Sequence, residues 1–499
     1  MTERNQSRSG DRPGRARSVN RAGSETGAGA GPELRAETGA PLGAGDALRS
    51  RTGPDGGRPF SRRSFIQTSA ALAAGAAVFP GFAHRAYASG TDTLRVGLIG
   101  CGGRGTRGII QNMECAPGIE LISLGDLAPD RLEQSRQTIA DYVEENPELR
   151  PNFQVTDDRC FSGFDAYKRV LETDVDLVML ATPPGFRPLH LAAAIDAGKH
   201  VFAEKPVATD AAGVRSCLET YERARAQGLG IGVGTQRRHH SGYLELIRRI
   251  RDGQMGEIVN GQVYWNQGGL WSRQPQDDWT ETEWQIRNWL YFTWLSGDHI
   301  VEQHVHQHDV ANWVLDAVPV RATAVGGRQQ RVDPVYGHIY DHFSVDYEYP
   351  DGVHIMSMAR QIPQAQGRIG EWFQGTRGRS RSHEGGGVGI GIEGPSSFEW
   401  ERPDDWVSHL VQEHTDLVTS IRAGEPINDL RRIAESTLTA IMGREAAYTG
   451  RTVEWDEALN ADQDLNPAPL DQLAYGPLEV PPVAIPGRTQ LDRRFIEGW

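Results

Sequence analysis

The chain has 499 residues, of which 52 are Lys or Arg and 66 are Asp or Glu, and its formal net charge at pH 7 is -14. The acidic excess is larger beyond residue 88, where 39 basic residues stand against 59 acidic ones. An acidic surface of this size repels nucleic-acid phosphates and anionic membranes, so we expect no nucleic-acid partner and no stable membrane anchor. The four cysteines show no paired metal-ligand spacing and predict no disulfide framework.

The first 88 residues divide into two segments. Residues 1–57 are rich in Gly, Ala, Arg, Ser and Pro and are predicted to be disordered. Residues 58–88 hold the pair Arg62-Arg63, the apolar run 70–82 and the small-residue site Ala86-Tyr87-Ala88, which together are typical of a twin-arginine signal peptide. We expect the twin-arginine machinery to export the folded chain to the periplasm or the medium. The alternatives are an uncleaved amphipathic N-terminus and a chance arginine pair.

Strand patterns and helix patterns alternate from residue 94 onward. The predicted strands are Leu94–Ile99, Ile119–Leu124, Leu177–Ala181 and Val201–Ala203. The predicted helices are Gly108–Cys115, Pro129–Glu145 and Leu189–Gly198. This alternation indicates an α/β fold with a doubly wound parallel sheet of the Rossmann type, which we assign to residues 89–215.

A dinucleotide fingerprint follows the first strand. Gly100-x-Gly102-x-x-Gly105 precedes a helix, and Asp126 ends the second strand. The turn, with Gly103 and Arg104 inside it, lets a pyrophosphate approach the helix N-terminus, and the Asp126 carboxylate is placed to bind the adenosine ribose. The motif predicts NAD, with NADP less favoured although Arg131 lies nearby. Because an exported enzyme meets no free nicotinamide pool, we expect the nucleotide to be tightly bound.

The pattern changes after Pro206. A helix to Ala226, a strand at Leu229–Val233 and a helix at Tyr243–Gly253 precede longer strands, and the chain returns to helices before a proline-rich end. These strands are Val259–Trp265, Ala322–Gly326, Phe343–Tyr349 and Val353–Met358, and the later helices are Glu413–Arg422 and Asp429–Tyr448, stopped by Gly450. We predict an α+β domain over residues 216–455 with a large open mixed or antiparallel sheet, and a tail over 456–499 that wraps the surface or a neighbouring subunit.

Several motifs resemble those of the Gfo/Idh/MocA family, which is named after glucose-fructose oxidoreductase, inositol dehydrogenase and a rhizopine-catabolism protein. They are Asp176–Pro184, Ala197–Pro206 with its Glu204-Lys205-Pro206, Gly256-Glu257-Ile258 and Arg444–Gly450. The resemblance implies a sugar or cyclitol substrate, a homo-oligomer built through the open sheet, and cofactor contacts from Thr182, Pro183, Glu204 and Lys205. It also implies that Lys205 is catalytic, because a cation beside the substrate hydroxyl stabilises the alkoxide as hydride leaves.

The segment 297–309 supplies the second catalytic element that the resemblance implies. His306 aligns with the family's catalytic histidine, and Glu302 takes the place of the usual aspartate one helical turn before it. A neutral His306 held by Glu302 is expected to accept the substrate proton. Asp298 replaces a glycine of the family pattern and is a candidate substrate contact. Arg187 replaces a histidine common after the Thr-Pro turn and is expected to contact cofactor or substrate, or only to begin a helix.

Two further readings concern the same region. Pairs at i, i+4 spacing, His304 with His308 or Glu302 with His306, would suit a metal, but no HExxH motif occurs and we predict no metal site. Six of the 12 tryptophans fall between residues 265 and 294, which favours either stacking on a saccharide or packing in a core or interface. The candidate substrate residues are Trp265, Arg237 and Tyr264, with His239 and Asn266 as further polar candidates.

Three function classes remain open. The first is an exported oxidoreductase that moves hydride between bound NAD(P) and a sugar or cyclitol. The second is an NAD-dependent glycosidase or lyase that oxidises a hydroxyl, eliminates across the acidified neighbouring C–H bond and reduces the product. The third is a non-catalytic saccharide-binding protein, which the presence of both Lys205 and His306 disfavours. Fold-level similarity alone does not fix the substrate.

Overall fold

The computed structural model describes residues 93–383 and 389–499. The first part of this range forms a six-stranded parallel sheet in the order β3-β2-β1-β4-β5-β6. Its strands are β1 (Leu94–Ile99), β2 (Ile119–Asp126), β3 (Cys160–Ser162), β4 (Leu177–Leu180), β5 (His200–Ala203) and β6 (Ile231–Val233). This order is that of the dinucleotide-binding fold, in which ligands bind beyond the carboxyl ends of the strands where the order reverses. The predicted α/β class is confirmed.

Five helices connect these strands. They are α1 (Gly103–Glu114), α2 (Pro129–Glu145), α3 (Ala166–Leu171), α4 (Arg187–Asp196) and α5 (Ala211–Gln227). The predicted start of the first helix at Gly108 is wrong by five residues, because the helix begins inside the glycine turn itself. Gly102 is its N-cap residue, so the unpaired N–H groups of the first helical turn lie at the fingerprint.

The second sheet has nine strands in the order β14-β13-β12-β11-β7-β10-β9-β8-β15. Their bounds are β7 (Ile258–Gln267), β8 (Arg321–Gly327), β9 (His342–Glu348), β10 (His354–Gln361), β11 (Arg368–Gly375), β12 (Arg379–His383), β13 (Gly389–Glu393), β14 (Phe398–Glu399) and β15 (Val453–Glu454). Strands β7 and β10 pair in parallel, and the other pairs are antiparallel. The predicted large mixed sheet is confirmed.

Eight further helices complete the second part of the described chain. They are α6 (Ser241–Arg251), α7 (Glu281–Arg287), α8 (Thr293–Ser296), α9 (His299–Glu302), α10 (Val305–Leu315), α11 (His409–Arg422), α12 (Leu430–Thr449) and α13 (Trp455–Asn460). Helix α12 is almost wholly buried and packs closely on β9, where a Cβ atom on Gly443 would lie 2.0 Å from the hydroxyl of Tyr347. One hydrophobic cluster joins Val201 of β5, Val345 of β9 and Leu438 of α12, so a continuous core connects the two sheets.

The parallel sheet continues to Val233, while the domain limits at residues 215 and 455 stay predictions. The predicted disordered segment and signal peptide lie outside the described residues, as does the cleavage site. No helix within 93–383 and 389–499 is long and apolar enough to cross a membrane. Cys101, Cys115, Cys160 and Cys217 are free thiols.

Candidate active site

The glycine turn leaves space for a ligand at two of its positions. Gly100 has a φ of +103°, and a Cβ atom on Gly105 would lie 1.9 Å from the Gly100 carbonyl oxygen, so the fold itself requires these two glycines. At Gly103, by contrast, a Cβ atom would meet nothing within 4 Å, and at Gly102 it would approach only the tip of the Arg131 side chain at 3.7 Å. The bare backbone at Gly102 and Gly103 therefore forms an open cradle that fits the close approach of a pyrophosphate.

Asp126 lies beside this cradle at the end of β2. Its carboxylate accepts hydrogen bonds from the backbone N–H of Cys101 at 2.6 Å and of Ala128 at 2.8 Å. Burial raises the pKa of Asp126, while the two N–H donors act in the opposite direction. The carboxylate thus fixes the glycine turn and lines the nucleotide cleft, with Thr182 and Pro183 on the same wall.

The predicted catalytic residues line one cleft of about 340 Å³. Lys205 donates from Nζ to the Glu302 carbonyl oxygen at 2.6 Å and to Glu302 Oε1 at 3.0 Å. His306 lines the same cleft, and its ring stacks on Trp265 with 5.8 Å between centroids. The structure therefore brings together a lysine ammonium, a carboxylate and an imidazole. Lys205 is more than 90 residues away from Glu302 in the sequence.

One expected contact within this set is wrong. Glu302 ends α9 and His306 lies in α10, so the two do not share a continuous helix. The Glu302 carboxylate bonds to Lys205 and to the Gln303 side-chain amide, and no hydrogen bond to His306 is found in the described part of the chain. Glutamate is one methylene longer than aspartate, which suits its contact with Lys205 across the cleft.

His306 is buried and is held neutral by its surroundings. Burial lowers its pKa well below the usual 6.5, and the positive charges of Lys205, Arg237 and Arg104 lower it further. A neutral imidazole is able to accept a proton from a hydroxyl group. The cleft thus contains a proton acceptor beside a fixed cation.

Arg104 connects the glycine turn to the loop Glu204-Lys205-Pro206, here called the lysine loop. Its guanidinium bonds to Glu204 Oε1 at 2.6 Å, to Gln111 Oε1 at 2.8 Å and to Glu413 Oε1 at 3.2 Å. Burial and the nearby Glu204 raise the pKa of Glu413 well above its ordinary value. The predicted cofactor residues Arg104 and Glu204 therefore contact each other and line the wall of the cleft.

Arg187 is a buried brace behind the same loop. Its guanidinium donates to the carbonyl oxygens of Thr182, Glu204 and Pro206, the last at 2.8 Å. Burial lowers its pKa to about 10, so the group stays charged at neutral pH. Arg187 also lines the catalytic cleft, but its donors are directed at the backbone on either side of Lys205. Its position indicates a role in holding Lys205.

The structure places two of the predicted substrate contacts away from the cleft that holds Lys205. Asp298 is completely buried, and its carboxylate accepts from the backbone N–H groups of His299 and Tyr340 and from the Tyr448 hydroxyl. Tyr264 follows the sheet's alternation and lies on the face opposite to Trp265, against Trp372 and Arg368. Neither side chain lines the cleft that holds Lys205.

The other two candidates lie behind His306 rather than in the cleft lining. Arg237 forms an ion pair with buried Glu371 at 3.5 Å, and its guanidinium lies 2.8 Å from the side-chain amide of Gln307. Its guanidinium carbon is 5.8 Å from the Trp265 ring centroid, and the same ring stacks on the imidazole of His306. These contacts support the catalytic histidine and tune its charge.

Sequence reasoning missed Gln236, which lines the cleft directly. Its position in the sequence could have indicated this, because Gln236 follows β6 and residues at the carboxyl ends of strands in a parallel sheet line the ligand site. Of the six tryptophans between 265 and 294, only Trp289 lines the cleft. Trp294 is fully buried and Trp284 packs on Phe292, which favours packing for these rings.

The alternative hypothesis of a metal site in this segment requires histidine side chains that are free to bind a metal ion. His304 and His308 both direct Nε2 to the hydroxyl of Ser357, at 2.7 and 3.0 Å. His239 pairs with Asp416 at 2.6 Å. Among the residues that the structure describes, no three His, Cys, Asp or Glu side chains converge on a possible metal position.

Comparison with known families agrees with this geometry. Residues 94–235 match the oxidoreductase family with an NAD-binding Rossmann fold, and residues 243–381 match the GFO/IDH/MocA C-terminal domain. The two matches together span more than half of the chain. The chain belongs to the Gfo/Idh/MocA oxidoreductase family. The predicted resemblance is confirmed, and its NAD-binding domain contains the cradle described above.

Among curated Gfo/Idh/MocA relatives, a "Glycosyl hydrolase family 109 protein" of Streptomyces coelicolor is 32% identical over 170 residues, 34% of this chain and 33% of the relative. An "Inositol 2-dehydrogenase" of Gluconacetobacter diazotrophicus is 29% identical over 238 residues, 48% of this chain and 59% of the relative. The matches thus span from one third to less than two thirds of these relatives' length.

In two solved structures with the same fold, the region that matches this protein is almost the whole chain. Aldose-aldose oxidoreductase from Caulobacter crescentus, complexed with glycerol, has a TM-score of 0.57 at 20% identity and covers 72% of this chain and 99% of its own. Scyllo-inositol dehydrogenase from Lactobacillus casei, with bound NAD(H) and scyllo-inositol, has a TM-score of 0.55 at 18% identity and covers 73% and 99%. These similarities show that the family fold extends over both sheets.

Proposed function

We propose that the protein transfers hydride between bound NAD and a hydroxyl-bearing carbon of a sugar or cyclitol. The observation that carries this proposal is the convergence of Lys205, Glu302 and His306 in one cleft next to the glycine cradle. The inositol dehydrogenase named among the relatives supports the substrate class. When bound, NAD supplies the hydride acceptor or donor.

The chain's own residues account for the proton and the charge. Lys205, aimed by the two oxygen atoms of Glu302, stabilises negative charge on the substrate oxygen. His306 accepts the hydroxyl proton during oxidation and returns it during reduction. Trp265 stacks on the imidazole and fixes its plane, so the proton acceptor keeps one orientation.

We also propose that NAD is held tightly. The nucleotide cleft is lined by Ile286, Arg287 and Trp289 of the second domain and by Leu470 and Tyr475 of the C-terminal segment, and we propose that these residues form a cover over the nucleotide. This cover is fixed at two points: the ion pair of Arg287 with Asp130 at 2.9 Å and the edge-to-face contact of Tyr475 with Phe164 at 5.1 Å. A ligand under such a cover has to wait for it to open before it can leave.

The test uses the purified full chain. Bound nucleotide is released by heat and identified by mass, and absorbance at about 340 nm is followed while sugars and cyclitols are added to untreated protein. The proposal expects NAD in the extract and a reduced-nicotinamide signal with at least one polyol. Absence of both NAD and NADP, together with failure of added nucleotide to bind, would contradict it.

A second candidate function is glycoside cleavage by oxidation, elimination and reduction. The similarity to a glycosyl hydrolase family 109 protein favours it, and the same Lys205 and His306 would serve the oxidation step. Its signature is cleavage of a glycoside without net change at about 340 nm, because the nucleotide returns to its starting redox state. The assay above distinguishes the two candidates.

Export and assembly belong to the same proposal. The Arg62-Arg63 pair and its apolar run support export by the twin-arginine route, and a double Lys replacement of the pair should retain the protein in the cytoplasmic fraction.

For assembly, Val325 and Met358 are 72% and 36% exposed on the outer face of the nine-stranded sheet. Their strands flank β9, with Ser344 paired to both, so they form one row. We propose that a second copy of the chain covers this face.

A further inference from the structure

Four arginines line one cleft together with Gly102 and Gly103. They are Arg107 from α1, Arg131 from α2, and Arg273 and Arg287 from the second domain. The tip of Arg131 lies 3.7 Å from the position of a Cβ atom on Gly102. Positive side chains are thus gathered over the backbone cradle at the N-terminus of α1.

Among the residues that the structure describes, Arg287 is the one of these four arginines that forms ion pairs. Arg287 pairs with Asp130 at 2.9 Å and with Glu283 at 2.8 Å. In the described ranges 93–383 and 389–499, no carboxylate forms an ion pair with Arg131 or Arg273. The two are close enough for Arg273 to lower the pKa of Arg131, in addition to the larger effect of burial. Arg131 and Arg273 repel each other, and the carboxylates of Asp126 and Asp130 offset this repulsion without forming an ion pair with Arg131. An anion bound between the two guanidinium groups would remove the remaining repulsion.

The backbone of Arg273 is fixed in place. Its N–H donates to Asn288 Oδ1 at 2.9 Å, and its carbonyl oxygen accepts from the Trp284 indole at 2.8 Å. Trp271 lies 5.5 Å from its guanidinium carbon. These contacts hold the backbone of Arg273, and its guanidinium lines the cleft without a carboxylate partner in 93–383 and 389–499, which points to a ligand at its tip.

We propose that Arg131 and Arg273 form a guanidinium clamp that binds a phosphate group of the dinucleotide over the glycine turn. The inference rests on the proposed function, since it assumes that a nicotinamide dinucleotide occupies the cleft. Guanidinium groups bind phosphate through paired, charge-assisted hydrogen bonds, and the free N–H groups of the first helical turn complete the site. Two phosphate sources have the required chemistry: the diphosphate shared by NAD and NADP, and the 2'-phosphate of NADP.

The test compares Arg131→Gln and Arg273→Gln with the control Arg136→Gln. Arg136 lies on the same helix α2 and pairs with Asp157 at 2.6 Å, so its replacement removes equal charge without touching the cleft. The full chain is freed of nucleotide, and dissociation constants for NAD and NADP are measured by titration calorimetry. Each clamp variant is expected to weaken binding by about tenfold to a hundredfold relative to the control.

The outcomes separate the phosphate sources. An equal loss for NAD and NADP assigns the clamp to the diphosphate, and a loss for NADP alone assigns it to the 2'-phosphate. Arg273→Lys keeps the charge without the planar fork, and an intermediate affinity is expected for it. Unchanged affinities in both Gln variants of a protein whose parent binds nucleotide would overturn the clamp alone. A folded parent chain that binds neither nucleotide would overturn the proposed function and the clamp with it.

Discussion

Nζ of Lys205 lies 3.0 Å from Oε1 of Glu302 and 2.6 Å from the backbone oxygen of the same residue. Both side chains are largely buried, with 12% and 9% of their surface exposed. The ammonium group is therefore held in one place by two oxygen atoms that belong to a single residue. This contact gives Glu302 a task that differs from the predicted one, namely aiming the lysine instead of holding the histidine.

We predict that Glu302→Asp lowers kcat by about tenfold or more, because the shorter carboxylate leaves Nζ without its side-chain partner. Nucleotide affinity should stay unchanged, since Glu302 lies outside the glycine turn. Steady-state kinetics and nucleotide titration check both statements. Glu435→Asp shortens an acidic residue in the exposed pair with Arg431 and should leave kcat as in the parent. An undiminished kcat in Glu302→Asp would show that the contact is not needed.

The pH dependence follows from the surroundings of His306. Burial and neighbouring cations lower its pKa well below 6.5, so the neutral, proton-accepting form persists at more acidic pH than for an exposed histidine. We therefore predict that the acid limb of kcat/KM for oxidation lies below pH 6.5, measured across a pH series with the folded state monitored. His306→Asn should lower kcat/KM by about 10² to 10⁴. An acid limb above pH 6.5 would contradict the role of His306 as the proton acceptor.

The sequence predicted the strands of the first sheet except β3 (Cys160–Ser162), and it predicted the residues that follow β1 and β2, because glycine and acidic fingerprints have a fixed relation to strand ends. It was less informative for β11 to β13. Arg379–His383 alternates arginine with serine and so lacks the apolar alternation of a strand, and in Gly389–Glu393 the alternation is limited to two isoleucines between glycines. Their partners in the sheet supply what their own sequence lacks.

Side-chain roles in the site were harder to predict than its location. Asp298 and Tyr264 lie next to the right residues in sequence, yet a bend at a positive φ of 75° and the alternation of a strand turn them away from the cleft. The position of Arg273 depends on a hydrogen bond that it accepts from Trp284 and one that it donates to Asn288, which no short motif encodes. Such contacts arise only when distant segments pack.

Arg187 provides a prediction about stability. Its buried guanidinium bonds to three carbonyl oxygens around the lysine loop, so Arg187→Met leaves these acceptors without their donor. We expect the free energy of unfolding to fall by about 3 kcal/mol or more, measured by urea denaturation. Arg223→Met, which removes an exposed ion pair with Asp196, should change it by less than about 1 kcal/mol. An equal decrease in the free energy of unfolding in the two variants would contradict the stabilising role of Arg187.

The outer face of the large sheet provides a prediction about assembly. Replacing Val325 and Met358 together by Asp places two charges in the exposed row across β8, β9 and β10, and should shift the protein to monomers in light scattering coupled to size exclusion. Val332→Asp adds a charge at a 64% exposed position outside the strands and should leave the oligomer intact. A parent protein that is itself monomeric at high concentration would refute the proposed assembly.

Buried neutral histidines predict a loss of stability in mild acid. Burial lowers the pKa of His190, His308 and His338 to about 3, whereas in the unfolded chain these groups protonate at about 6.5. Below pH 6.5 the unfolded state therefore binds protons that the folded state does not, and the free energy of unfolding falls until the pH approaches 3. At pH 5.5 each such histidine lowers the free energy of unfolding by about 1.4 kcal/mol relative to its value at neutral pH.

Urea unfolding at pH 7.5 and pH 5.5 measures this loss. His308→Gln removes one titrating group, so the difference between the two pH values should shrink by about 1.4 kcal/mol even if the variant is less stable at both. Ser357→Ala removes the hydroxyl that contacts His308 Nε2 at 3.0 Å but keeps the buried imidazole, so it should retain most of the parent's pH difference. A His308→Gln variant with the parent's full pH difference would mean that His308 already binds a proton in the folded chain at pH 5.5.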